Sequence, residues 1–319
     1  MAGVVALRRS TGAVSVADAV EGFLTASDLA ATTRAVYEGT LVMLQVDLAE
    51  GLAVDEVTTA MLEDHLRGRY GEAAPATYNR NLATIASLFT WCVDNDLLPR
   101  SPTKGLRRRK PRRTIEAERQ RRPIPLAELE ALWGDARYRL RDRVYWAMAY
   151  DTAARADELL GLDVDNIDLA DRSAIIIGKG GSAEQIFWSS ITARRLPRLI
   201  NGRTTGPLFV GDRKPRSHLT PAAADLDPIS GKARLSYRRA EEIWKAVSGG
   251  HTLHQLRHSR LTHLAEAGED VTMIKAKSRH RSLRSLERYV NPGPGAIQNL
   301  TNRHDPNRRH KHTDHPGHR

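Results

Sequence analysis

Cysteine is nearly absent from this sequence, and so are long apolar runs. The 319 residues include one cysteine, Cys92, which excludes an intramolecular disulfide and a zinc site built from several cysteines. No run approaches the roughly 18 consecutive apolar residues of a membrane-spanning helix. In the first twenty residues the arginines follow the short apolar run, the reverse of the order in a signal peptide. We therefore expect a cytoplasmic protein.

Acidic residues are also in short supply. The chain has 38 Asp and Glu against 49 Lys and Arg, a net charge of +11. Such a surplus favours a polyanionic partner, which is either nucleic acid or an anionic membrane surface. Because no segment is suited to a membrane, we expect double-stranded DNA as the partner and no membrane association. The length suffices for one large or two modest domains, each with its own core.

Helical periodicity runs through residues 15–100, which we predict to form a helical domain after an N-terminal extension, residues 1–14. Ser15, a pair of threonines at 32–33 and Thr58 stand where helices start and are expected to cap them, and Pro75 suits a first helical turn. The last helix carries one apolar stripe at spacings of three and four. We expect this stripe to be buried, and Cys92 to be a core residue instead of a reactive thiol. Its members are Leu82, Ile85, Leu88, Phe89 and Cys92.

A basic segment follows the helices. Residues 100–123 contain eleven Lys or Arg against two Glu and almost no apolar residues, so we predict a linker over residues 101–123. One interpretation is a solvated hinge. We favour a linker that lies along DNA, because phosphates would relieve the repulsion among its cations. The predicted DNA-binding residues are Arg107, Arg108, Arg109, Lys110, Arg112 and Arg113.

Residues 124–302 mix helical patterns with two short β-branched runs. The runs lie within 173–188 and flank glycines 178, 180 and 181, which predicts two strands joined by a glycine-rich turn. Residues 303–319 are basic, hold five of the twelve histidines and lack apolar periodicity, so we expect a disordered tail. The predicted fold class is mainly α with a small β-sheet (α+β).

Four short segments carry residues suited to chemistry. Each has an ordinary structural interpretation when taken alone: an arginine paired within its own helix, a lysine in a turn, a solvated histidine, a packed tyrosine. Their order along the chain changes that interpretation. The segments are "TAARADELLGL" with Arg155 and Glu158, "IIIGKGG" with Lys179, "HQLRH" with His254 and Arg257, and "HRSLRSLERYV" with His280 and Tyr289.

This set resembles the catalytic set of the tyrosine recombinase (phage integrase) family. His254 and Arg257 are three residues apart, His280 follows Arg257 by 23 residues, and Tyr289 follows His280 by nine, as in that family. The resemblance extends over residues from about 15 to 300. It implies a helical core-binding (SAM-like) bundle followed by a tyrosine-recombinase catalytic domain over residues 124–302, in a two-domain form.

The residue types suit attack on a phosphodiester. Arginine donates two parallel hydrogen bonds and stays charged, so Arg155 and Arg257 are apt clamps for the non-bridging oxygens. A phenol with a pKa near 10 is a poor nucleophile at neutral pH, but neighbouring cations favour the anion of Tyr289 and His254 could accept its proton. The family resemblance further implies Lys179 as general acid, His280 as a donor to the phosphate and Glu158 as the residue that orients Arg155 or His254. No metal, ATP or other cofactor is expected.

The chain departs from the family pattern at two places. Ser278 and Arg279 precede His280 where Leu and Gly are common, and two alanines precede Arg155 where Gly and Leu are usual. We expect Arg279 either to alter its turn or to add a phosphate contact. Since only fourteen residues precede the first predicted helix, we expect the simpler two-domain form, without the additional N-terminal module of integrases that bridge distant sites.

Two alternatives share much of this pattern. A type IB topoisomerase has nearly the same catalytic set, and a non-catalytic DNA-binding protein could keep the fold. The segment 291–303 after Tyr289 favours a recombinase, because in that family such a segment docks into a neighbouring subunit. We therefore expect a DNA recombinase that forms a tetramer on two DNA sites, and the resemblance also allows for an accessory protein that sets the direction of exchange.

Overall fold

The structure, a computed structural model, describes residues 13–110, 122–178, 181–216 and 221–280, together with 282, 286, 298, 301, 302 and 305. The chain divides into two compact units, Met1–Thr114 and Ile115–Arg319. This division lies within the predicted linker. The expected fold class, mainly helical with a small sheet, is confirmed. None of the described helices is long and apolar enough to cross a membrane.

Within the described part of the first unit, residues 13–110, four helices lie at the places that the periodicity predicts. Ser15 and Thr58 accept hydrogen bonds from the backbone N–H groups of Asp18 and Met61 and cap α1 and α3. The threonine caps predicted for α2 are wrong: the helix begins at Ala31, so both threonines lie inside its first turn, and no side chain caps it. The helices are α1 (Val16–Ala26), α2 (Ala31–Asp47), α3 (Thr59–Tyr70) and α4 (Pro75–Asp94), with a short 3₁₀ turn at Val54–Glu56.

The apolar stripe of α4 lies in the core of this unit, as predicted. Leu82 is 5% exposed, and the other four stripe residues, including Cys92, are fully buried. A buried hydrogen bond of 2.6 Å from Thr40 Oγ1 to Asn81 Oδ1 joins α2 to α4 beside that core. The stripe therefore fixes which face of α4 the other three helices cover.

Cys92 offers a test of this packing. Burial raises the pKa of its thiol to about 12, so the reactive thiolate is scarce at neutral pH. We expect an aromatic disulfide reagent at pH 8 to leave the folded protein unlabelled and to label it fully in guanidinium chloride. Rapid labelling of the folded protein would show that α4 does not pack as described. Since the chain has no other cysteine, the labelling rate reports on the N-terminal unit alone.

The first part of the predicted linker packs on this helical unit. Residues Pro102–Gly105 form a 3₁₀ turn, and Thr59 Oγ1 donates a 2.7 Å hydrogen bond to the Pro102 carbonyl. The Asn79 side chain bonds both the N–H and the C=O of Arg109, each at 2.8 Å. Residues 101–110 are thus a docked extension of the bundle, because neighbouring polar groups satisfy their backbone. The rest of the predicted linker, residues 111–121, lies outside the described residues.

The second unit packs helices around a central helix, α6. Nearly every residue of α6 is buried, as expected of a helix that neighbours surround on all sides. Aromatic pairs join it to its surroundings, among them Tyr145 against Phe209 and Trp146 against Trp244. The helices are α5 (Leu126–Gly134), α6 (Leu140–Thr152), α7 (Ala156–Leu160), α8 (Ser190–Ile200), α9 (Tyr237–Val247), α10 (Leu253–Glu266) and α11 (Val271–Ser278).

A three-stranded antiparallel sheet completes the second unit. Its strands are β1 (Ile167–Asp168), β2 (Ser173–Ile177) and β3 (Ala183–Phe187), in that order. The two predicted strands are confirmed as β2 and β3, paired with Ile175 opposite Gln185, while β1 was not predicted. The Gly178 N–H donates to the Ser182 carbonyl at 2.8 Å and closes the hairpin. Lys179, which follows Gly178 in sequence, lies outside the described residues.

Candidate active site

Arg257 is the most deeply buried of the predicted catalytic residues. It lies on α10, at whose start the Gln255 side chain accepts a 2.9 Å hydrogen bond from the Thr252 backbone N–H, and only 2% of its surface is exposed. Its Nη1 donates to the Ala153 carbonyl and its Nη2 to the Ser278 carbonyl, the latter at 2.6 Å. The guanidinium therefore joins the C-terminal ends of α6 and α11, and these two bonds fix its orientation.

Both helix ends that Arg257 contacts are left-handed. Ala153 ends α6 at φ 50° and Arg279 ends α11 at φ 56°. L-residues with a side chain adopt this region at a cost, whereas glycine adopts it freely. These are the two positions where glycine is usual in the family that the sequence resembles. Arg279 thus occupies a turn suited to glycine, and the arginine does not remove the left-handed conformation.

His280 lies beside Arg257, directly after this turn. Its Nε2 is 3.4 Å from Arg257 Nη2, and its Nδ1 is 2.6 Å from Ser278 Oγ. Ser278 Oγ has one hydrogen and two neighbours, His280 Nδ1 and the Lys275 carbonyl at 3.1 Å, so either ring nitrogen of the half-buried imidazole can carry the hydrogen. In both tautomers Nε2 faces the guanidinium of Arg257.

Arg155 is held by Glu158 at the start of α7. The Glu158 carboxylate accepts from the Arg155 backbone N–H at 2.8 Å and from its Nη1 at 2.6 Å. Burial would raise the pKa of Glu158, but hydrogen bonds from Arg155 and the charges of Arg279 and Arg155 outweigh it, so the pKa is lowered. The side chain of Glu158 is 6% exposed and that of Arg155 is 44% exposed, so the arginine still reaches solvent.

Glu158 has a second arginine partner that sequence reasoning missed. Arg279 Nη2 is 2.9 Å from Glu158 Oε2, and Arg279 Nε is 3.0 Å from Glu184 Oε2 on β3. The Arg279 side chain is 8% exposed. The expectation that it alters its turn or contacts phosphate is therefore corrected: the guanidinium is enclosed between two carboxylates. Its signal in the sequence was a large cation at a position that suits glycine.

The structure thus brings together four of the seven residues predicted for the site. Arg155, Glu158, Arg257 and His280 are connected through Arg279 and the backbone on either side of it. His254 is exposed on α10, one turn before Arg257. Tyr289 and Lys179 lie outside the described residues. Within the described ranges, no three His, Cys, Asp or Glu side chains are grouped so that they could hold a metal ion.

Comparison with known proteins identifies the family. Residues 124–294 match the sequence profile described as "Phage integrase family". The tyrosine recombinase XerC of Mycobacterium bovis (strain BCG / Pasteur 1173P2) is 30% identical over 288 residues, covering 86% of this chain and 92% of the relative. This chain belongs to the phage integrase family of tyrosine recombinases. XerC of Mycobacterium sp. (strain JLS) is 29% identical to this recombinase over 277 residues, which cover 81% and 87% of the two chains.

Solved structures show that the recombinase shares the fold of integrases. The Tn1549 transposon integrase in complex with circular intermediate DNA aligns with a TM-score of 0.66 at 15% identity, covering 91% of this chain and 99% of that one. A lambda integrase tetramer bound to a Holliday junction aligns with a TM-score of 0.65 at 13% identity, covering 86% and 79%. At these identities the likeness concerns the fold.

The basic segment of the recombinase divides into exposed and docked residues. Arg107, Arg108 and Lys110 are exposed. Arg109 is half-buried: its Nη1 donates to the carbonyls of Tyr70 and Gly71, the latter at 2.6 Å, and its guanidinium lies 3.9 Å from the centre of the Tyr78 ring. The Arg109 guanidinium therefore satisfies backbone carbonyls at the C-terminal end of α3. Two further members of the predicted set, arginines 112 and 113, lie outside the described residues.

Proposed function

We propose that this recombinase cuts DNA by attack of the Tyr289 hydroxyl on a phosphodiester. The new bond joins the tyrosine oxygen to phosphorus, the bond to the 5′-oxygen breaks, and the 5′-oxygen takes up a proton. The product is a 3′-phosphotyrosyl link, which conserves the energy of the broken bond, so neither ATP nor another cofactor is needed. Attack by a 5′-hydroxyl from a second strand then releases the tyrosine and completes the exchange.

Arg257 carries this proposal. A guanidinium keeps its charge at any physiological pH, and two backbone carbonyls hold this one beside His280. Such preorganised donors stabilise the negative charge that builds on phosphate oxygens during attack, typically by about 3–4 kcal/mol for one well-placed donor. Arg155, oriented by Glu158 and still half-exposed, is suited to be the second clamp. His280 is the third donor in this proposal, His254 accepts the tyrosine proton, and Lys179 protonates the leaving oxygen.

A covalent adduct is the decisive observation. Duplexes bound by the protein are first selected from a random library, and a nick is then placed next to each phosphate in turn, so that the cut fragment diffuses away and the adduct accumulates. We expect a protein–DNA species that survives denaturing electrophoresis. Absence of any adduct would leave only a non-catalytic DNA-binding protein, whereas relaxation of supercoils without recombinant product would indicate a topoisomerase.

We further propose double-stranded DNA as the partner and a tetramer on two sites as the active assembly. The net charge of +11 supports the first proposal. The second is supported by the likeness to an integrase that was solved as a tetramer on a Holliday junction. A protein with this substrate is expected in the cytoplasm with the nucleoid. Exchange between two sites needs four active tyrosines, one for each strand.

The basic segment offers a matched pair of variants. We expect Arg108→Ala to reduce the slope of log affinity against log salt by about one, because an exposed cation near phosphate releases about one counterion. Arg109→Ala should instead lower the free energy of unfolding of the N-terminal unit by about 1 kcal/mol, since its guanidinium serves two carbonyls of that unit. DNA titrations at several salt concentrations and urea unfolding measure both effects. Equal salt slopes for the two variants would contradict this division.

A further inference from the structure

Arg279 combines three properties that rarely occur together. Its backbone is left-handed, its side chain is 8% exposed, and its guanidinium contacts carboxylates from two separate elements. A left-handed arginine and a buried charge both cost free energy. In the folded protein, the ion pairs of the Arg279 side chain with Glu158 and Glu184 offset part of that cost.

The first contact reaches Arg155. Glu158 uses Oε1 for the Arg155 guanidinium and Oε2 for both the Arg155 backbone N–H and Arg279 Nη2. The Glu158 carboxylate thus pairs with two arginines: Arg155, which is exposed to solvent, and Arg279, which is buried. Burial would raise the pKa of Glu158, and the charge of Arg279 is among the influences that lower it instead. Arg279 therefore helps to keep Glu158 ionised and able to orient Arg155.

The second contact reaches the end of the β2–β3 hairpin. Glu184 lies on β3 opposite the buried Ile176, and its Oε2 is 3.0 Å from Arg279 Nε. A Cβ built on Gly178 would lie 3.4 Å from the Glu184 Cδ, so this carboxylate lies directly against Gly178. Arg279 thus connects the end of the hairpin, the start of α7 and the turn that leads to His280.

Charge balance gives these contacts a consequence for anion binding. Two arginines, 155 and 279, face two glutamates, 158 and 184, so the group is neutral. Without Arg279 the same group would carry a net negative charge close to the arginines proposed to bind phosphate. That charge would repel a phosphodiester and leave Glu184, whose side chain is 31% exposed, without this ion-pair partner.

We propose that Arg279 is a positioning residue for DNA cleavage. By neutralising Glu158 and Glu184 it holds Arg155 and the end of the β2–β3 hairpin in a fixed relation to His280. The role rests on the proposed function, because it assigns Arg279 an effect on the same phosphotransfer. Arg279 acts through its neighbours and is not assigned a contact with the DNA.

Arg279→Gly is the informative variant, because glycine keeps the left-handed turn and removes the ion pairs, together with one local hydrogen bond from Arg279 Nη1 to the Lys277 carbonyl. Arg172→Gly is its matched control: Arg172 is also left-handed, at φ 52°, but is exposed in the turn between β1 and β2. At saturating nicked duplex we expect Arg279→Gly to form adduct about 10- to 100-fold more slowly than wild type, as for other residues that orient a reacting group. Its DNA affinity and melting temperature should stay close to those of Arg172→Gly, which itself should cleave at the wild-type rate.

Two further variants separate positioning from simple stability. Arg279→Lys keeps the charge but not the planar fork, so it should restore part of the rate. Glu184→Gln should slow cleavage, and its effect should not add fully to that of Arg279→Gly, since both remove the same contact. A rate for Arg279→Gly within twofold of wild type would overturn the proposal. So would a loss of rate matched by an equal loss of DNA affinity.

Hydrogen exchange without DNA distinguishes a failure of this inference from a failure of the proposed function. Arg279→Gly should increase amide exchange in the peptide that ends β2 at Gly178, and Arg172→Gly should not. If wild type forms no adduct, the proposed chemistry is wrong whatever the exchange shows. If wild type cleaves and neither exchange nor rate responds to Arg279→Gly, the chemistry stands and the positioning role is refuted.

Discussion

Tyr289→Phe is expected to form no covalent adduct with DNA while binding it as tightly as wild type. Phenylalanine keeps the aromatic ring and removes only the hydroxyl, so the attacking oxygen is lost with little change in size. The proposed product is a phosphate ester of that oxygen, so it cannot form without the hydroxyl. The loss should therefore be complete on nicked duplex, in contrast to the partial losses expected for residues that only stabilise charge.

A second tyrosine in the same unit is a suitable control. Tyr237 is 42% exposed at the start of α9, and Tyr237→Phe should leave adduct formation unchanged. Mapping the adduct peptide from wild type should identify residue 289. Persistence of the adduct in Tyr289→Phe would assign the nucleophile to another side chain and would end the proposed mechanism. Equal affinity of the two variants for DNA would show that any loss concerns the chemical step.

Local sequence signals were sufficient for most of the helices. Ser15, Thr58 and Pro75 act within one turn of their own helices, so the structure reproduces the predicted starts of α1, α3 and α4. Two elements escaped prediction for equally local reasons. The strand β1 has two residues, too few for a period, and α8 contains Pro197, which normally argues against a helix.

Which residues belong to the proposed site was predictable from the sequence, but the contacts between them were not. The pairing of Arg155 with Glu158 follows from a spacing of three residues at a helix start. The contact of Arg279 with Glu184 joins residues far apart in the sequence, and only the tertiary fold brings the residue after α11 beside β3. The basic segment shows the same limit. A charge run predicts one behaviour for all its members, yet Arg109 is docked on Tyr70 and Gly71 while its neighbours are exposed.

Replacing either proposed clamp should reduce cleavage strongly, and the two replacements should differ in stability. We expect Arg155→Ala to lower the rate of adduct formation at saturating DNA by about 10²- to 10³-fold, the usual loss for one preorganised donor. Its affinity should change little, because the chain has 49 Lys and Arg and thus many other cations available to phosphate. Its stability should also change little, since Arg155 is 44% exposed and Glu158 keeps Arg279 as a partner. Nicked-duplex kinetics and thermal unfolding measure these quantities.

Arg257→Ala should lose a comparable rate and also unfold earlier. From the sequence, replacing either arginine is expected to reduce cleavage far more than DNA binding, but the structure gives Arg257 a second role. Arg257 is 2% exposed and its guanidinium donates to the carbonyls of Ala153 and Ser278, so alanine leaves two buried acceptors without their donor. Each such loss costs about 1–3 kcal/mol, before any cavity is counted.

Arg257→Lys tests how the two roles of this residue are divided. Lysine keeps the positive charge but is a point donor on a flexible stem, so it is expected to recover part of the stability and little of the rate. If Arg257→Ala unfolds no earlier than Arg155→Ala, the two carbonyl bonds do not stabilise the fold. If Arg155→Ala loses DNA affinity by the same factor as the rate of adduct formation, Arg155 stabilises the bound DNA in its ground state and not the transition state. Burial of one arginine and exposure of the other therefore predict which variant isolates the chemistry: Arg155→Ala, because it changes the phosphate site and spares the core.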